Sequence, residues 1–190
     1  MKLFAGTEEL NIPELFSAAS RRIILNGAVY GPFAKSARHM AGLETALTKK
    51  EFRQLDIIAI NPALDLNWKK YFLEILRFGI SRQSIEDEVE ISYSFIAGIA
   101  EKYPAKVKLH PVRKWPNLPL VIVDDTLCFG QYAYAAQHAP QGFWGMVEAD
   151  VEKMFEWTKS GRPPANSTKE EIAAFRLINE CAKLMNISKL

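Results

Sequence analysis

Residues 117–134, NLPLVIVDDTLCFGQYAY, decide how the rest of the chain folds. An apolar run ends in two adjacent acids, Asp124 and Asp125, and a second apolar run follows that is interrupted by Gly130. Short apolar runs separated by a turn are typical of two buried strands. Asp-Asp-Thr is also favourable turn chemistry, because the carboxylates accept hydrogen bonds from nearby backbone N–H groups. We therefore predict a hairpin whose turn lies at residues 124–126.

The segments upstream of this hairpin predict a strand–helix–strand unit. Residues 22–26 (RIILN) and 54–61 (QLDIIAIN) are compact apolar runs of strand length. Between them Phe33, Leu43 and Leu47 recur at helical spacing, which indicates an amphipathic helix. This order of elements predicts parallel strands joined by a right-handed crossover.

The remaining segments predict further helices and strands around that unit. In chain order they are an edge strand at residues 2–5, a short helix from Asn11, a helix at 68–76, a helix from a capping box at 84–87, strands at 107–110 and 142–147, a helix capped by Asp150, and a last helix from a capping box at 167–170. The prediction is an α/β domain over residues 1–150, with a mixed β-sheet flanked by helices. Two C-terminal helices over residues 151–190 are expected to pack on the same domain.

The composition excludes several classes of protein. A chain of 190 residues with 48% hydrophobic and 24% charged residues is typical of one soluble globular domain. The net charge of +2 excludes a strongly basic nucleic-acid coat. Cys128 and Cys181 lack the spacing of a zinc site or disulfide framework, and we expect no metal and no other cofactor. Without a signal peptide or an apolar run of 18 residues, we expect a cytoplasmic protein that does not enter a membrane.

An acid at the end of a buried strand is found in several phosphate-handling families. The haloacid-dehalogenase type needs two aspartates separated by one residue, whereas Asp124 and Asp125 are adjacent. Adjacent side chains of an extended segment point to opposite faces, so they do not meet at one phosphate. A receiver-type phosphoacceptor places its acid pair after the first strand, and here the pair lies beyond the midpoint. Neither family is favoured.

The hairpin resembles the motif of the phospholipase D-like domain, H-x-K-x4-D followed by G-S-x-N on the next strand. Over residues 20–150 the order of elements is also similar. The apolar run before the two acids looks like the usual I-V-D-D of that motif. The motif positions fall, in order, on Asn117, Pro119, Asp124, Gly130, Gln131 and Ala133. The resemblance thus covers the framework of the motif but not its histidine and lysine.

The two replacements predict that the chain is not an enzyme. In the family, one histidine forms a phosphohistidine and another donates a proton, and the lysine neutralises phosphoryl charge. Asn117 is neither a nucleophile nor an acid near neutral pH, and Pro119 has no charge and no donor. We therefore expect no catalytic residues, and a binding or regulatory protein that acts through the former active-site face. The resemblance also implies a homodimer, because single-motif members of the family pair their motif faces.

Other functions stay open from the sequence. If the chain is active, it is a metal-independent phosphodiesterase or nuclease with relocated residues, for which His110, Lys114 and Asp124 are the candidates, or it is an unrelated hydrolase. A structural or inhibitory partner of a neighbouring enzyme is a third alternative. The partner of a binding protein would be a protein, a nucleotide or a nucleic acid. A nucleic acid can bind to a local basic patch even when the total charge of the protein is not basic.

The candidate ligand-binding residues lie around the loop after the first strand of the unit and the loop after the hairpin. They are Asn26, Tyr30, Tyr132 and His138. The loop at residues 27–33 could hold an anion at a helix N-terminus or be a plain connector. Aromatic residues at 132, 134, 143 and 144 could be core packing or a platform for stacked bases.

Overall fold

The computed structural model of the protein describes residues 1–132 and 139–185. These residues form a seven-stranded sheet of order β1-β7-β6-β5-β2-β3-β4. The strands are β1 (Lys2–Ala5), β2 (Arg22–Ala28), β3 (Gln54–Ala59), β4 (Val107–Pro111), β5 (Leu120–Val123), β6 (Thr126–Gly130) and β7 (Phe143–Glu148). Among the described residues no helix is long and apolar enough to cross a membrane.

The sheet is mixed, and β2 lies where its two halves join. The pairs β2–β3 and β3–β4 are parallel, whereas β5 pairs antiparallel with β2 on the other side. The β5–β6 hairpin, β7 and the edge strand β1 continue the antiparallel half. The predicted strand–helix–strand unit, hairpin and edge strand are therefore confirmed.

Helices cover both faces of the sheet. They are α1 (Ile12–Ala18), α2 (Gly31–Ala34), α3 (Ala37–Thr48), α4 (Lys69–Leu76), α5 (Arg82–Lys102), α6 (Val151–Thr158) and α7 (Lys169–Leu184), with 3-10 turns at Glu8–Leu10 and Ala139–Gln141. Successive side chains of a strand point to opposite faces. Ile23 accordingly packs in the core with α1, α3 and α5, while Ile24 packs with α6 and α7. The predicted α/β fold with two C-terminal helices is confirmed.

Three helix boundaries differ from the prediction because more than one residue could cap each helix. The helix expected from Phe33 is two helices, since Ser36 interrupts it and accepts a hydrogen bond from His39 N of α3. Helix α5 starts before the predicted capping box and is capped by Ser81. Helix α7 uses the capping box of Thr168 with Glu171, one residue later than predicted. The cap at Asp150 is confirmed. Asn11 precedes α1 in the left-handed conformation, with φ 53° and no side-chain capping bond.

Asp124 joins the end of β5 to the start of β2. Its Oδ2 accepts hydrogen bonds from Ser20 N (2.9 Å) and Ser20 Oγ (3.0 Å), and its Oδ1 accepts from Arg21 N (2.8 Å) and Arg22 N (2.9 Å). The residue adopts φ 50°, a left-handed conformation that aspartate tolerates in turns. Partial burial acts to raise the pKa of Asp124, but the bonds from Arg22, Ser20 and Arg21 outweigh it and lower the pKa. We call this arrangement the Asp124 clamp.

Replacing Asp124 by alanine should lower the free energy of unfolding by about 3 kcal/mol, because three backbone N–H groups lose a charged acceptor. Since the folded-state pKa of Asp124 is lowered, its stabilisation is present above the unfolded value near pH 4 and is lost as the pH falls through the folded value. Urea unfolding of the wild type, Asp124→Ala and Asp124→Asn between pH 2 and 7 would measure both effects.

Asp125→Asn is the matched control for this experiment. Asp125 bonds to Arg21 Nη2 (2.5 Å) and to Val151 N (3.3 Å), but its side chain is 43% exposed. Exposed ion pairs contribute less than about 1 kcal/mol. Equal losses for the two asparagine variants would contradict the role assigned to the Asp124 clamp.

Candidate functional site

A cavity of about 100 Å³ lies at the carboxyl end of β2, where β2 meets the start of β5. In open α/β sheets, ligands bind in crevices outside the carboxyl ends of strands, where neighbouring connections diverge. Among the residues lining this cavity are Asn26, Tyr30, His39, Pro119, Tyr132 and Trp144. Three of the four predicted ligand-binding residues are therefore brought together here, and the fourth, His138, lies outside the described residues.

Asn26 is the most deeply buried polar residue of the cavity, with 2% of its surface exposed. Its Nδ2 donates a hydrogen bond to the carbonyl of Leu118 (3.2 Å). The carbonyl can only accept, so this bond fixes which amide atom is nitrogen. Within residues 1–132 and 139–185, Oδ1 of Asn26 has no hydrogen-bond partner.

Tyr30 is also buried, but its polar atoms are all occupied. Its hydroxyl donates to the carbonyl of Ile58 in β3 (2.7 Å) and accepts from Gly27 N (2.8 Å). Its backbone N–H donates to Ser92 Oγ of α5 (2.6 Å). Burial raises the pKa of Tyr30 well above its ordinary value, so the hydroxyl stays protonated. The side chain therefore joins the end of β2 to β3 and leaves no group for a ligand.

Tyr132 differs from Tyr30, because its buried hydroxyl has no hydrogen-bond partner in the described part of the chain. Its ring packs edge-to-face on Phe72, with the ring centres 5.1 Å apart. Burial raises the pKa of Tyr132, so the hydroxyl is neutral and able to donate or accept.

The two basic residues that line the cavity, Arg77 and His39, provide no free charge. Arg77 lines the cavity, but its guanidinium is held by both carboxylate oxygens of Glu88. His39 stacks on Phe33 at 4.5 Å, and its Nδ1 lies 2.8 Å from Ser36 Oγ. Burial lowers the pKa of His39, which favours the neutral ring at pH 7. The cavity is therefore an uncharged and mainly apolar site.

The predicted anion site at residues 27–33 meets a carboxylate in the structure. Helix α2 begins at Gly31, and a Cβ built on Gly31 would lie 2.8 Å from Oε1 of Glu88. The Glu88 carboxylate, which is paired with Arg77, already occupies the space beside Gly31 where an anion would lie. The structure thus favours a connector at this position.

The positions that resemble the phospholipase D-like motif are spread over the β5–β6 hairpin and the residues on either side of it. Pro119 lines the cavity, and its carbonyl accepts from Gly130 N (2.9 Å). Asn117 is exposed and donates to Glu180 Oε2 of α7 (3.0 Å). Asp124 lies four residues beyond Leu120, the first residue of β5, and is therefore about 13 Å from it along the strand. Gln131 is exposed, and Ala133 lies outside the described residues.

The structure does not bring His110, Lys114 and Asp124 together. His110 of β4 pairs with Ile58 of β3, which pairs with Asn26 of β2. Asn26 in turn pairs with Leu120 of β5, so His110 and Leu120 lie at the same level of the sheet. Asp124 lies four residues further along and three strands away, at a separation of about 20 Å. Lys114 is exposed in the connection between β4 and β5.

Sequence reasoning missed the partner of His110. Its Nε2 lies 2.8 Å from Oδ1 of Asp56 in β3, and Asp56 is only 1% exposed. The same carboxyl group accepts from Gln54 Nε2 at 2.7 and 2.8 Å. An acid in the middle of the apolar run QLDIIAI was the available signal, because a buried acid requires a partner.

The aromatic residues beyond the hairpin do not form one platform. Trp144 is buried beside Gly130, whereas the exposed Phe143 contacts Phe129. Tyr134 lies outside the described residues. A separate group that the sequence did not indicate joins Tyr132 to Phe72, Trp68 and Trp115, and Trp115 is 42% exposed.

The cysteines show no sign of a catalytic or metal site. Cys128 and Cys181 are buried and unbonded to each other, and burial raises the pKa of Cys128 to about 12. Thiols in such surroundings are inert. Over residues 1–132 and 139–185, no group of three or more histidine, cysteine or acidic side chains is placed to hold a metal ion.

Comparison with known proteins gives distant structural likenesses, of which two are given below. No protein-family model matches the chain, and no curated protein matches its sequence. The structure of TrmBL2, an archaeal chromatin protein with a novel mode of DNA binding, is 14% identical, with a TM-score of 0.45 over 82% of this chain and 49% of TrmBL2. A phosphatidylserine synthase of Haemophilus influenzae Rd KW20 is 13% identical, with a TM-score of 0.45 over 95% of this chain and 43% of the synthase. The chain thus spans less than half the length of either protein.

The two cavity tyrosines should respond differently to the loss of their hydroxyls. Tyr30→Phe leaves Gly27 N and the Ile58 carbonyl without a partner, and should lower the free energy of unfolding by about 2 kcal/mol. Tyr132→Phe removes an unpaired hydroxyl, so it should either raise the free energy of unfolding or change it by less than about 0.5 kcal/mol. Urea unfolding of both variants measures the difference, and equal losses would mean that the Tyr132 hydroxyl has a partner.

Proposed function

We propose that this chain is a phospholipase D-like binding or regulatory module without catalytic chemistry, and that it holds its ligand at the cavity beside Asn26. The observation that carries the proposal is that Pro119, at the lysine position of the motif, lines that cavity, while Asn117 stands at the histidine position. The framework that presents the motif is kept, whereas the groups that would attack a phosphodiester are absent from it.

The chemistry around the cavity supports binding over turnover. Covalent phosphodiester cleavage needs a nucleophile, an acid and cations that neutralise the charge of the transition state. His39 could supply an imidazole, but its ring is stacked on Phe33. The nearest cation, Arg77, is already neutralised by Glu88. A transition state with extra negative charge would therefore find no compensating charge.

A metal-independent phosphodiesterase or nuclease is the second candidate, and the pair of His110 with Asp56 favours it. A carboxyl group 2.8 Å from Nε2 fixes the orientation of the ring and leaves Nδ1 for another partner. In this candidate the carboxylate beside the histidine is Asp56 and not Asp124, which the sequence had suggested as a candidate. Lys114 would have to reach the same substrate from the exposed connection that follows β4.

The partner of the module is proposed from chemistry alone. The exposed Trp115 beside Arg113 and Lys114 suits stacking of a single-stranded nucleic acid, since aromatic and basic side chains are what such sites combine. A nucleotide or a protein are the alternatives. Homodimerisation and a cytoplasmic location stay predictions of the sequence.

Phosphodiester cleavage is the first experiment. Bis(4-nitrophenyl) phosphate and single- and double-stranded oligonucleotides would be incubated with the wild type, His110→Ala and His39→Ala in excess chelator. We expect the same background rate in all three, because the ring of His39 is stacked on Phe33 and His110 lies outside the cavity, beside Asp56. Turnover that persists in chelator and falls at least a hundredfold in one histidine variant would overturn the proposal and identify the nucleophile.

Binding of the same single-stranded oligonucleotides would test the nucleic-acid partner. It would be followed by tryptophan fluorescence at 50 and 200 mM salt. The expected result is quenching that weakens steeply with salt. Trp115→Leu is the test variant. Trp157→Phe, on α6 away from the exposed Trp115, is the control.

A further inference from the structure

We infer that the cavity beside Asn26 binds a small uncharged molecule, or the end of a larger one, that is mostly apolar and carries a hydrogen-bond donor for Asn26 Oδ1. The inference rests on the proposed function, because it names the class of ligand that the module would hold. It is carried by the positions of two unpaired polar atoms.

Buried side-chain polar atoms without a partner occur at two places in the described residues. They are Oδ1 of Asn26 and the hydroxyl of Tyr132, and both residues line the same cavity. Most buried polar atoms in folded proteins are hydrogen-bonded, and an unpaired one is costly. Two such atoms at one cavity indicate that their partners come from a molecule inside it.

The two atoms set the polarity of that molecule. Asn26 Oδ1 is an amide oxygen and can only accept, while Nδ2 of the same amide donates to the Leu118 carbonyl. The molecule must therefore donate at this end, whereas the Tyr132 hydroxyl can meet either a donor or an acceptor. An anion is disfavoured, because it would face an acceptor oxygen while the Arg77 charge is neutralised by Glu88.

The size of the cavity limits the molecule further. An apolar cavity of about 150 Å³ holds benzene, so a cavity of about 100 Å³ suits a group of about four or five heavy atoms. The remaining walls include Val29, Leu76 and Pro119, which favour an apolar body. A five-membered ring with one N–H or O–H meets these limits. Ordered water is the competing occupant, because water can also donate to Oδ1.

Pyrrole and furan are a matched pair of probes for this inference. They have the same shape, but only pyrrole has an N–H donor. Titration of the full chain with each, followed by the amide NMR shifts of Gly27 and Val121, should show millimolar binding that is about tenfold tighter for pyrrole. Asn26→Leu should abolish the preference, and Asn67→Leu, at an exposed position outside the cavity, should keep it. The comparison on the wild type stands even if Asn26→Leu does not fold.

Three results would overturn the inference. Equal affinity for pyrrole and furan would mean that Asn26 contributes nothing, and no binding of either would leave water as the occupant. Inorganic phosphate shifting the same amides would mean that the cavity is an anion site. None of these results requires turnover. Cleavage of phosphodiesters would overturn the proposed function instead, whichever ring the cavity prefers.

Discussion

The structure depends on the carboxylate of Asp124, which holds the three backbone N–H groups of residues 20–22. This clamp fixes the register in which β5 pairs with β2, from Ile23 opposite Val123 to Asn26 opposite Leu120. Because β2 joins the parallel and antiparallel halves of the sheet, both halves are positioned by that register. The cavity at the other end of β2 is therefore placed by an interaction about 13 Å away.

The clamp also explains why two adjacent acids do not make a phosphate site here. Asp124 binds the start of β2, whereas Asp125 bonds to Arg21 and to the first residue of α6. Each acid connects the hairpin turn to a different segment, and their acceptor atoms are used by the protein itself. The polar end of residues 117–134 is thus structural, and the ligand site that we propose lies at the uncharged end, around Asn26.

The sequence predicted strands better than it predicted contacts. The runs at residues 22–26 and 54–61 were found within two residues because buried strands are uninterrupted apolar segments. Helix starts shifted wherever two capping residues competed, as at Ser81 and Thr168. Asn26, Tyr30 and Tyr132 were identified as candidates, but their different roles depend on partners far apart in sequence. The pair of His110 with Asp56 needed the register between β3 and β4, which no local pattern encodes.

The free-energy cost of burying the unpaired oxygen of Asn26 is the strongest reason to propose that the cavity is a functional site. The neighbours of Asn26 in β2 are Ile23, Ile24 and Leu25, and an aliphatic side chain at 26 would continue the run without an unpaired oxygen. Asn26 instead forms one hydrogen bond and leaves one buried acceptor unpaired. Local rules of folding are broken mostly where function requires it. The hydrogen bond to Leu118 would be a structural reason for an asparagine at position 26, but it does not explain why the Tyr132 hydroxyl is unpaired at the same cavity. A ligand in the cavity accounts for both unpaired atoms.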